Sequence, residues 1–231
     1  MKKEDLANYV SDQNSKLKNQ KIGKLDIFFK DPFDKEFDYT KAFRSVDFML
    51  PDHFLELIDI VYVGNFDHFK DGSYNAAYEN GAVYVSNSQD DIKDLIDDLI
   101  HEIAHAVEEA YDHEVYSDKM IQKNFLAKRK KIESILDYEG YDLSGVDFMN
   151  PYYSKNMDIF LRDEVGYETL HNLIPGLFLA PYSISSLREY FARGFEEFYL
   201  GKLHDLKTTC PYIFNKIVSL HNNKEREEYE F

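Results

Sequence analysis

Apolar residues change their period along this chain, and each change predicts an element. Residues 4–20 are polar with sparse apolar positions and read as a peripheral helix. Three short runs rich in β-branched and aromatic residues follow, at 25–29, 58–63 and 82–86, and read as strands. Glu79-Asn80-Gly81 is a turn signal before the third. The polar stretch 67–81 reads as a loop or a wide hairpin. Beyond it the period lengthens. Ile92, Leu95, Ile96, Leu99, Ile103, Val107 and Ala110 recur every three or four residues, which is one face of a helix of about 20 residues. Ser88 with Asp91 forms an N-terminal capping pair, and Asp90, Asp91 and Asp94 suit the positive end of the helix dipole.

From residue 115 onward the pattern is mainly helical. Helices are expected over 118–137, 160–172, 184–200 and 210–222, the last with Pro211 in its first turn. Lys128-Arg129-Lys130-Lys131 reads as an exposed helix face. Residues 138–158 read as irregular. Strands first and helices afterwards predict an α+β fold with one small mixed sheet packed on the helix over 92–110. No repeat, linker or low-complexity tract divides the chain, so residues 1–231 are expected to form a single domain, with 1–50 as an N-terminal extension and 112–180 as a helical insertion.

Composition narrows the function. Lys and Arg number 27 against 43 Asp and Glu, a formal charge of −16. That argues against nucleic acid, whose phosphates are held by Lys and Arg, and against anionic membrane surfaces. Such a charge suits cationic partners, and the expectation of a protein or peptide substrate rests on the motif at 101–105. Tyr and Phe number 18 each with no Trp, so the core should be aromatic. One cysteine, Cys210, allows no internal disulfide. The first eight residues lack the apolar core of a signal peptide, and no apolar run is long enough to span a membrane. A cytoplasmic or virion-associated protein is expected, with a secreted effector as the other setting.

The chemistry lies in His101-Glu102-Ile103-Ala104-His105. Histidines four apart on a helix share a face and can reach one metal ion. Zinc accepts imidazole nitrogen and works with three protein ligands and an open position. Glu102, next to the first histidine, is placed to act as general base toward a metal-activated water. A third ligand is required. Metzincins would continue with Gly and a third His, whereas Ala106-Val107-Glu108-Glu109-Ala110-Tyr111 follows here, so that class is excluded. His113 does not fit the spacing. The remaining option is a Glu on a later helix.

On that later helix, Glu189-Tyr190-Phe191-Ala192 with Phe195, and Tyr182 seven residues earlier, resembles the gluzincin peptidases related to the anthrax lethal factor catalytic domain and the Pro-Pro endopeptidases. Ala106-Val107-Glu108-Glu109 and Cys210-Pro211-Tyr212-Ile213-Phe214 share the resemblance, which spans residues 55–111 and 178–222. It implies a zincin-like fold, one Zn2+ held by His101, His105 and Glu189, and Tyr182 pointing at the substrate carbonyl oxygen. Glu196 and Glu197 are the rival ligands. Arg193 stands where many gluzincins carry an Asp. The resemblance also implies that the strand at 81–85 is an edge to which substrate adds its backbone. The competing functions are a non-peptidase zinc hydrolase such as an amidase, and a zinc-binding interaction protein without turnover.

Overall fold

Alternating burial turns the apolar runs into strands of one sheet. The computed structural model describes residues 18–69 and 74–222. The helix expected over 4–20 falls mostly outside them, and residues 18–20 belong to a strand instead. β1 (Lys18–Ile22), β2 (Leu25–Phe29), β3 (Ile60–Val63), β4 (Ala76–Glu79) and β5 (Ala82–Val85) lie in the order β1-β2-β3-β5-β4. The inner pairs are parallel and the outer pairs antiparallel, so the sheet is mixed. Leu25, Ile27, Phe29, Val61, Val63, Val83 and Val85 are all buried. On the other face, Phe28, Tyr62 and Tyr84 stand in register and form an aromatic ladder, with centroids 5.6 Å and then 5.1 Å apart. Such cross-strand pairs contribute up to about 1 kcal/mol each.

Within the stretch expected to be a loop or a wide hairpin, residues 76–79 form β4, which pairs antiparallel with β5. The turn into β5 carries positive φ at both Asn80 (49°) and Gly81 (83°), the backbone of a two-residue type I′ hairpin. A Cβ on Gly81 would stand 2.5 Å from the Asp59 carboxylate. Residues 30–57, for which periodicity predicted no element, contain α1 (Tyr39–Met49) and α2 (Asp52–Leu55). α1 buries Ala42, Phe43 and Val46, spaced like one helix face.

The remaining elements are helical: α3 (Ile92–Ala110), α4 (Asp112–Tyr116), α5 (Met120–Tyr138), α6 (Lys155–Ile159), a π-helical turn (Phe160–Val165), α7 (Tyr167–Leu173), a 3-10 turn (Pro181–Ile184), α8 (Leu187–Tyr199), α9 (Leu203–Thr209) and α10 (Pro211–His221); α6 lies almost wholly in the stretch expected to be irregular, and α9 was not expected. The fold is α+β, a small mixed sheet with a mainly helical remainder. The chain divides into two compact units, Met1–Ala106 and Val107–Phe231. Their boundary falls inside the continuous helix α3 and not in a linker.

In the second unit α5, α8 and α10 pack on one another around Phe125, Phe178, Tyr190, Phe195 and Ile213. Gly194 allows the close approach of α10, since a Cβ there would lie 2.5 Å from Ile213 Cγ2. The basic run on α5 is only half exposed. Lys130 and Lys131 face water, but Lys128 and Arg129 are buried. Arg129 donates to the carbonyls of Asn150 and Asp147 and lies over the rings of Phe125 and Phe148. Lys128 donates to the Thr209 carbonyl at 2.7 Å, beside the buried Cys210 and between the rings of Phe178 and Tyr190. Guanidinium and ammonium stems can cover apolar surface while the head group finds carbonyls and ring faces. These two basic residues hold the loop after α5 and the N-terminus of α10. Among the described residues, no helix is long and apolar enough to cross a membrane.

Candidate metal centre

α3 begins at a carboxylate cap. Asp91 accepts hydrogen bonds from the N–H groups of Lys93 (2.6 Å) and Asp94 (3.1 Å), so Asp91 itself caps the helix. Ser88 instead donates its N–H to the hydroxyl of Ser86. The expected apolar face is present, with Leu95, Leu99, Ile103 and Val107 fully buried, but Ile100, Ala104 and Ala106 are buried too. From residue 99 to 108 the helix is enclosed on every side, and only His101 keeps partial exposure. The histidines therefore do not lie on a solvated face of the helix. His105 is 5% and Glu102 8% exposed.

One turn of α3 places three groups able to bind a metal ion close together. The ring centroids of His101 and His105 are 5.0 Å apart and nearly perpendicular. Nitrogen atoms of both rings and a carboxylate oxygen of Glu102 all lie within 4.8 Å of one another, a group able to hold a metal ion. Two imidazoles with carboxylate and no thiolate suit zinc. Burial raises the cost of leaving such groups without a cation or hydrogen-bond partners.

Asp98, one turn before His101, was not foreseen, although spacings of three and four to His101 and Glu102 put it on their face. Gln89 donates to Asp98 at 3.2 Å and to the Ser86 carbonyl at 3.3 Å, so its amide ties the exit of β5 to α3. Burial raises the Asp98 carboxyl from 3.8 to about 6, Gln89 opposes the rise, and the charge of Glu102 adds to it. The folded chain therefore holds this proton more tightly than the unfolded chain. The resulting stability is present at low pH and lost as pH rises through about 6. In chelator-treated protein, Asp98→Asn is expected to gain stability at neutral pH, on the order of 2 kcal/mol. Its urea midpoint should fall less than that of wild type between acid and neutral pH; parallel profiles would refute the assignment.

The second unit holds the other predicted site residues. Glu189 is in the first turn of α8, where Ser186 caps the helix by accepting its N–H at 3.2 Å. Its side chain is half-buried. Tyr182 lies on the 3-10 turn, 43% exposed, with the ring of Tyr167 edge-on at 6.2 Å. Partial burial of the phenol, then the charge of Glu189, raises the Tyr182 pKa well above the ordinary tyrosine value. The two residues thus share one electrostatic neighbourhood. The rival ligands are otherwise engaged: Arg193 binds Glu196 through Nη1 and Glu197 through Nη2, and Lys202 adds a contact to Glu197 at 3.3 Å. Both carboxylates are buried in that cluster. Arg193 serves as their counter-ion. His113 is exposed on α4.

The strand at 82–85 is not an edge. β5 pairs with β3 on one side and β4 on the other, so its backbone groups are used. The sheet edge next to it is β4. Comparison with protein-family models, curated proteins and solved structures gives no match.

Proposed function

We propose that this protein is a zinc-dependent endopeptidase of zincin-like fold, related to the gluzincins. Zinc would be held by His101, His105 and Glu189. The observation that carries the reading is the approach of two imidazoles and the Glu102 carboxylate within 4.8 Å on the largely buried middle of one helix. A purely structural zinc site has four closed ligands and no use for a neighbouring base. Here Glu102 directly follows a ligand, which favours turnover.

Bound zinc would supply Lewis acidity, lowering the pKa of a water and polarising the scissile carbonyl. Glu102 takes the proton of the attacking water and passes it to the leaving amine. Tyr182 keeps its proton at neutral pH and donates a hydrogen bond to the developing oxyanion. The low exposure around Glu102 and His105 limits competing bulk water and strengthens these electrostatic interactions. An extended substrate adds its backbone to β4, the strand next to β5, and not to β5 itself.

Metal analysis tests the ligand set. Protein purified without chelator should carry close to one zinc per chain, and Glu189→Ala should lose it. Zinc retained in Glu189→Ala would remove that residue from the set. Wild-type protein that takes up no zinc would end the peptidase reading.

A further inference from the structure

The first turn of α8 is fastened at three points. Ser186 caps it. The N–H of Leu187 donates to the carbonyl of Pro151 at 2.8 Å. Arg188 Nε lies 3.9 Å from a carboxylate oxygen of Glu108. The first two attachments are ordinary means of holding a helix end. The third is different, because of where Glu108 stands.

Glu108 is in the last turn of α3 and is 9% exposed. It follows His101 by seven residues and His105 by three, so it continues the histidine stripe about 4.5 Å further along the helix axis. A carboxylate buried to that degree is costly unless paired. Its other oxygen accepts the hydroxyl proton of Tyr116 from α4. One oxygen thus holds a phenol and the other faces the guanidinium of Arg188, whose neighbour in the chain is Glu189.

We infer that Glu108 and Arg188 are positioning residues for Glu189, fastening the ligand-bearing turn of α8 to the last turn of α3. This inference rests on the zinc reading above. The pair is poorly built for stability alone. Arg188 is half in water, and ion pairs of that kind add little to folding. Its effect should therefore appear at the metal. Outer-shell partners of metal ligands change affinity by roughly 10–100-fold when removed. Tyr116 keeps the Glu108 carboxylate from swinging away, so the attachment has one fixed end and one adjustable end.

The test is zinc affinity, measured by competition with a chromophoric chelator, alongside the melting temperature of metal-free protein. Arg188→Met and Glu108→Gln are each expected to weaken zinc binding roughly tenfold. Because they break the same attachment, the double variant should be no weaker than the weaker single variant. Arg188→Lys should recover part of the loss. Glu109→Gln, which removes an exposed charge beside Glu108, should bind as wild type does. The melting temperature of metal-free Arg188→Met should match that of metal-free wild type. Wild-type affinity in Arg188→Met would overturn the inference and leave the zinc reading standing. So would weakened binding that merely parallels a fall in metal-free stability. If Glu108→Gln fails to fold, the partly exposed Arg188 position decides alone. Wild-type protein without zinc affinity would sink both readings together.

Discussion

Glu102→Gln is expected to lower kcat by roughly 10²–10⁴-fold while zinc stays bound. The amide matches the carboxylate in shape and can occupy the same buried space, so helix α3 should keep its packing. It cannot take a proton from water at neutral pH. The loss should therefore fall on kcat, with KM nearly unchanged, because the removed interaction acts in the transition state and not in the ground-state complex. Zinc content separates this from a ligand defect. Full zinc with a collapsed rate supports Glu102 as base. Loss of zinc would make Glu102 a ligand, an assignment its position within 4.8 Å of both imidazoles also allows. Cleavage of a peptide library at the wild-type rate would sink the mechanism outright.

Tyr182→Phe carries the second large effect, a loss in kcat of roughly 10²–10³-fold. Phenylalanine fills the same space on the 3-10 turn and keeps the edge-on contact with Tyr167, so only the proton donor is removed. Desolvation and the charge of Glu189 hold the Tyr182 phenol in its protonated form. The pH profile follows from that direction. Because the folded pKa lies above the ordinary value, Tyr182 remains a donor throughout the working range and should not set the alkaline limb. Tyr182→Phe should lower the whole profile without moving that limb. A variant that loses the limb while keeping its maximum rate would show Tyr182 titrating, contrary to this assignment. A rate equal to wild type would place the tyrosine outside the oxyanion's reach.

Legibility in the sequence tracked the range of the interaction. The helix carrying His101 and His105 was readable because each determinant lies within a few residues of the next. The three- and four-residue recurrence of Ile92, Leu95, Ile96, Leu99, Ile103 and Val107 fixes its period, and a spacing of four puts the histidines on one face. The start of α10 was readable for a similar reason, since Pro211 suits a first helical turn. By contrast, β4 lies in a stretch that reads as a loop or wide hairpin because a four-residue strand is too short to show a period of its own; pairing with β5 defines it. That same pairing makes β5 internal, which no local pattern could reveal. The Lys128-Arg129 burial was missed because charge predicts exposure on average. Aromatic faces and backbone carbonyls from distant segments reverse it here.

By itself, the sequence determined the class of fold and the local chemistry: a strand-rich first part, helices after it, and two imidazoles and a carboxylate on one helical face. Those follow from periodicity and from side-chain type. Tertiary structure decided the surroundings of those groups. It enclosed the histidine turn, so Glu102 and His105 are nearly dry. It engaged Glu196 and Glu197 with Arg193, and it brought the charges of Glu189 and Asp158 near the Tyr182 phenol. It also paired Glu108 with Arg188. The physical reason is that helical spacing is set by backbone geometry within a few residues. Desolvation and ion pairing depend on which remote segments arrive beside a residue, and the chain records that only in the packing of the whole.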